Sequence, residues 1–82
     1  SDKLVKFTYF KFYSAKNEGY DEWSTYEFDA MLKYFQYLYG KETEQKAKYS
    51  FLWSIDGYEL ELHILRDLDD SWRRIEAVFS IQ

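Results

Sequence analysis

Two apolar runs mirror one another about Asp56-Gly57. An Asp-Gly pair between alternating segments is a strong hairpin signal, because a type I′ turn needs positive φ at both central positions and these residues tolerate it. Folding the chain there sets Ile55 against Tyr58, Trp53 against Leu60, Phe51 against Leu62 and Tyr49 against Ile64, all on one face. The other face takes Ser54 with Glu59, Leu52 with Glu61 and Ser50 with His63. Such a half-buried antiparallel sheet needs a cover.

The cover is written upstream. Ser24-Thr25-Tyr26-Glu27 has the form of a capping box, in which the Ser hydroxyl accepts from the Glu27 amide and the Glu carboxylate reaches back to the cap amide. A helix is predicted to start there and to stop at Gly40, which ends a helix at low conformational cost. At 100° per residue, Phe28, Met31, Leu32, Phe35, Leu38 and Tyr39 form one wide stripe that suits the hairpin's apolar face. The opposite side should be polar. It carries instead Tyr26, Ala30 and Tyr37, with Tyr34 on its flank and Lys33 among them.

Lys3 to Tyr13 is rich in Phe, Tyr, Val and Thr without Gly or Pro, a strand signature whose alternation changes phase. Val5, Phe7 and Tyr9 suit one face. Phe10 and Phe12 join them only through a bulge near Tyr9 and Phe10; otherwise the strand carries aromatics on both faces. Ser14 to Trp23, with Gly19, reads as a loop. Lys41 to Lys48 is charged and reads as a short helical turn or a connecting loop. Asp67 to Ser71 makes a polar turn, after which Ile75, Ala77, Phe79 and Ile81 alternate with Arg74, Glu76, Val78 and Ser80 as a last strand. The expected fold is α+β, one domain over residues 1–82: a four-stranded, mainly antiparallel sheet with one helix on one face, in the order strand, helix, strand, strand, strand. The first strand can lie beside the second or the fourth; a parallel neighbour would require a right-handed crossover through the helix.

Composition sharpens this picture in two places. The 82 residues contain no Cys, which excludes a disulfide framework and a cysteine-based zinc site, so packing alone must hold a small domain. Nine Tyr, seven Phe and three Trp are about twice the usual aromatic share. That is more than one small core can hold, and the surplus points outward, where Tyr and Trp crowd binding surfaces. Net charge is −4, which serves solubility and also disfavours bare nucleic acid while favouring basic partners. No leader, membrane-spanning run or lipidation motif is present, so the chain reads as soluble and cytoplasmic.

Chemistry is sparse by comparison. His63 is the only histidine, and the predicted register brings it opposite Ser50 with Glu61 on the same face, but a flat sheet offers neither pocket nor oxyanion donors. Asp67, Asp69 and Asp70 lack the spacing of a calcium loop and read as a solvated turn. The glycines stand singly at 19, 40 and 57, so no phosphate loop exists. The aromatic first strand suggests base stacking, with Lys6 and Lys11 near phosphates, yet it lacks the glycines of an RNA-recognition strand. No catalytic residue, cofactor or metal is therefore assigned, and no direct nucleic-acid or membrane contact is expected.

The candidate site is the outer helix face. Tyr26, Tyr34 and Tyr37 are the expected anchors, and an acidic window beside them supplies Asp21, Glu22 and Asp29 as steering charge that mimics phosphates. This pattern suits a small acidic, non-enzymatic inhibitor that masks a basic surface of a nucleic-acid-processing protein. Immunity proteins and phage anti-defence or anti-CRISPR proteins are of that kind, an analogy of class rather than of motif. The alternative is a self-associating structural domain, natural or designed, in which the Tyr stripe or the spare aromatics of the first strand meet a second copy as a homodimer.

Overall fold

The structure, a computed structural model, describes residues 5–81; Lys3 and Leu4, included in the predicted first strand, lie outside the described residues. The chain runs β1 (Val5–Ser14), α1 (Tyr20–Tyr39), β2 (Glu44–Ala47), β3 (Ser50–Ile55), β4 (Tyr58–Arg66) and β5 (Trp72–Ile81). The fold is α+β, with five antiparallel strands rather than four, in the spatial order β1-β5-β4-β3-β2. β1 lies beside the last strand, antiparallel to it, so no crossover connection joins neighbours. α1 carries the chain from one edge of the sheet to the other.

The β3–β4 register is the one the alternation demands, from Ser50 opposite His63 to Ile55 opposite Tyr58, and the Ile64 amide donates to the Tyr49 carbonyl at 3.0 Å. The turn itself differs. Gly57 has φ 88° but Asp56 does not take positive φ, a pattern of a type II rather than a type I′ turn. Register therefore follows from which face is buried more than from turn type.

The extra strand, β2, replaces the helical turn or loop expected over Lys41 to Lys48. All four of its residues are exposed and none is apolar beyond Ala47, so local pattern carries no strand signal. What makes it a strand is the free edge of β3, which offers unpaired backbone groups: the Thr43 amide donates to the Leu52 carbonyl at 2.7 Å, and the Thr43 hydroxyl accepts from the Ser54 amide at 2.8 Å. The sheet's bulge lies here, between Gln45 and Ala47, and not in β1, whose pairing with β5 is unbroken from Val5–Ile81 to Ser14–Trp72. β1 thus carries aromatics on both faces.

The core lies between α1 and the middle of the sheet. Phe28 and Phe35 from the helix pack on Phe51, Trp53, Leu60, Leu62, Ile75 and Ala77, each buried, with Met31, Leu32, Tyr39 and Phe79 around them. At about 1.5–3 kcal/mol for each large side chain withdrawn from water, this cluster is the dominant favourable term. Trp53 also serves the helix end, donating Nε1–H to the Gly40 carbonyl at 2.9 Å, while the Gly40 amide donates to Gln36.

Candidate protein-binding surface

The helix begins one turn earlier than the capping box implies. Gly19, in the left-handed region at φ 75°, turns the chain into α1, and its carbonyl accepts the first helical bond from the Trp23 amide at 2.9 Å. Asp21 and Glu22 fall in the first turn, where carboxylates favour the positive end of the helix dipole. Ser24 is consequently inside the helix and fully buried. Its hydroxyl donates back to the Asp21 carbonyl at 3.0 Å and accepts from Arg73 Nη1 at 3.2 Å. Glu27 does not cap the helix; it pairs with Lys11 of β1 at 2.8 Å.

Arg73 ties this helix end to the β4–β5 turn. Its Nε and Nη2 donate to the two oxygens of Asp70 at 3.0 and 2.9 Å, Nη1 also pairs with Asp21, and the guanidinium stands over the Tyr20 ring at 5.3 Å. Tyr20 donates its hydroxyl to Asp70 at 3.0 Å. The fork from Arg73, aided by Tyr20, holds the Asp70 carboxyl down at about 2. The same bonds raise Arg73, which stays charged. Asp21 is therefore an anchoring residue of the fold as well as part of the acidic window.

The outer face of α1 then presents the expected rings. Tyr26, Tyr34 and Tyr37 are 67, 59 and 85% exposed, and the helix carrying them is pinned at both ends. Trp23 belongs with them. It is 60% exposed, meets Tyr26 edge-on at 6.0 Å between centroids and leans back over Gly19, where a Cβ would lie 3.3 Å from its ring. It escaped the sequence reading because the Ser24 start left it in a loop; a helix from Tyr20 puts 23, 26, 30, 34 and 37 on one side. Of the acidic residues on the helix, Asp21 and Glu27 are engaged by Arg73 and Lys11. Glu22 and Asp29 are exposed and form no ion pair among the described residues.

The opposite face of the sheet holds a polar network. His63 Nδ1 lies 3.0 Å from Glu61 and Nε2 lies 2.9 Å from Glu76, so both ring nitrogens face carboxylates and neither reaches Ser50. The Ser50–His63–Glu61 set is thus not assembled as a nucleophile with its base. In the β4–β5 turn Asp67 accepts from the Asp69 amide and the Ser71 hydroxyl, bonds that lower its carboxyl, Ser71 first, and close the turn internally. No group of acidic or histidine side chains suited to a metal occurs among the described residues. No described helix is long and apolar enough to cross a membrane. Comparison with protein-family models, with curated proteins and with solved structures finds no match.

Proposed function

We propose that the chain is a non-enzymatic protein-binding module of the inhibitor type, which masks a basic surface of a nucleic-acid-processing protein with the outer face of α1. The observation that carries this reading is the row of four aromatic rings, 59–85% exposed, on the side of a rigid helix turned away from the core. Rigid Tyr and Trp rings give large contact area at low entropic cost, which is why they dominate interface hot spots. Trp23, Tyr26, Tyr34 and Tyr37 are the anchors. Glu22 and Asp29, without an ion pair among the described residues, flank them as carboxylates that draw in a cationic partner, with the salt dependence of exposed charges.

The test is capture from a bacterial lysate on the immobilised protein, with salt elution, set against Tyr37→Ala and Asp29→Lys. A basic nucleic-acid-binding protein retained by the unmodified chain and lost by both variants, at unchanged thermal stability, is the expected result. Equal retention by all three would remove the outer face of α1 from consideration.

A further inference from the structure

β1 is a sheet edge left open. It runs ten residues without Pro or bulge, and its outer side pairs with nothing among the described residues. Hydrogen-bond parity shows which groups are free. The Ala15 amide donates to the Ser71 carbonyl at 2.9 Å, in line with the β1–β5 register, so odd-numbered residues of β1 turn their backbone groups toward β5. The far side of the sheet agrees: the Asp67 amide bonds the Trp72 carbonyl, placing even-numbered residues of β5 on β4 and leaving the odd ones for β1. The N–H and C=O of Lys6, Thr8, Phe10 and Phe12 therefore project from the free edge. Rings flank it on both faces, Phe7 and Tyr9 on the helix side and Phe10 and Phe12 on the other, all 55–60% exposed.

We propose that β1 pairs antiparallel with β1 of a second copy, about a two-fold axis normal to the sheet, joining two five-stranded sheets into one. Parity restricts the register, because a hydrogen-bonded pair must join two even-numbered residues and opposite residues share a face. Lys6 and Lys11 stand on different faces, so they never oppose one another across this axis. In the register centred on Tyr9, Lys6 lies across from Phe12 of the second copy and Lys11 across from its Phe7. The Lys6 ammonium then meets a ring instead of another ammonium, and Lys11, whose ammonium pairs with Glu27, lays its stem against one, which suits a strand holding two Lys and no carboxylate. The four half-exposed rings hold at most about 450 Å² per copy for the pairing to cover, at 150–250 Å² for a whole ring. The backbone and Lys stems bring this toward the ~800 Å² per partner of a stable interface. An axis normal to the sheet keeps both helices on one side, with their outer faces open in the same direction. Bivalent capture would follow from that geometry and rests on the proposed function; the dimer does not.

A chain without Cys makes single-cysteine reporters clean. Tyr9 lies at a non-hydrogen-bonded position, where opposed Cα atoms approach to about 4.5 Å, within disulfide reach. Tyr9→Cys is expected to cross-link to a dimer under mild oxidation while Tyr37→Cys does not. Thr8→Pro removes an outward N–H that the fold does not use, and is expected to retain the circular dichroism of the parent while turning the dimer into the 10.1 kDa monomer in light scattering. A parent that stays monomeric at every concentration overturns the proposal, as does a dimer that Thr8→Pro leaves whole or equal cross-linking of the two Cys variants. Partner capture by the Thr8→Pro monomer is read separately, since α1 is untouched, so failure of the dimer and failure of the binding face are distinguishable.

Discussion

The two edges of this sheet are finished differently. β2 is four residues long, interrupted between Gln45 and Ala47 and furnished with Glu44 and Lys46; the ammonium of Lys46 reaches back to Glu61 at 3.5 Å. Shortness, a bulge and charge are the devices that discourage a further strand. β1 has only the charge, in Lys6 and Lys11, and surrounds it with Phe and Tyr on both faces. The helix reflects the same asymmetry, because it covers Phe51, Trp53, Leu60, Leu62, Ile75 and Ala77 and leaves Phe7 and Tyr9 of β1 more than half exposed. Position in the sheet therefore decides what an aromatic does: near β3 it holds the monomer together, as Tyr13 at the end of β1 also does, and from Phe7 to Phe12 it is available.

The largest expected effect tests that division. Trp53→Ala removes a fully buried ring and the donor to Gly40, and should cost about 3–5 kcal/mol. At about 4–8 °C for each kcal/mol in a domain of this size, the melting temperature should fall by more than ~12 °C. Phe12→Ala, made in the Thr8→Pro monomer, removes an equally conspicuous ring that is 55% exposed and stacks on Trp72 at 5.9 Å. It should cost less than about 1 kcal/mol. Comparable losses from both, measured by thermal melts, would mean that β1 is part of the core and that the division is wrong.

A second, smaller effect concerns the hairpin on which β2 is templated. Gly57→Val forces a β-branched residue to φ 88°, where a Cβ meets no neighbour, so the loss is conformational strain of about 1–2 kcal/mol. Asp56→Ala should be nearly silent, because Asp56 does not take positive φ. Denaturant titration of the pair separates the type II geometry from a type I′ turn, in which both substitutions would be costly.

How much of this was legible follows from where each signal resides. The β3–β4 register and the inner face of β5 could be read because alternation and burial act within one stretch, and Phe28 and Phe35 because a helical stripe is equally local. Three features depend on distant residues. β2 has no pattern of its own and forms on the edge that β3 leaves. Ser24 looks like a cap, but its hydroxyl is used by Arg73, forty-nine positions away, so the helix runs on to Gly19 and brings Trp23 to the outer face. The phase change in β1 suggested a bulge only on the assumption that a single face is buried; neither face of Phe7 to Phe12 is fully covered. For the candidate surface, Tyr26, Tyr34 and Tyr37 followed from helical geometry, whereas the engagement of Asp21 required knowing that the β4–β5 turn folds beneath it.

The smallest effect at neutral pH separates the two ends of α1. The C-terminal end is held by Trp53 through a bond that does not titrate, and the N-terminal end by Asp70 with Arg73 and Tyr20. Asp70 is held at about 2, below its ordinary value of 3.8, so its contribution is complete above pH ~4 and disappears as pH falls through about 2. Asp70→Asn keeps a residue type that tolerates φ 55° and removes the charge together with one of the two oxygens that accept from Arg73. The parent should therefore be the more stable protein at neutral pH, with the difference closing between pH 4 and 2. Taking that difference isolates Asp70 from Asp67 and Glu42, whose carboxyls are also lowered, by Ser71 and by Gln36 respectively. Hydrogen exchange in acid should show the amides of Trp23 to Glu27 losing protection before those near Gly40. Loss at both ends together would show that one cooperative core, and not two separate anchors, holds the helix on the sheet.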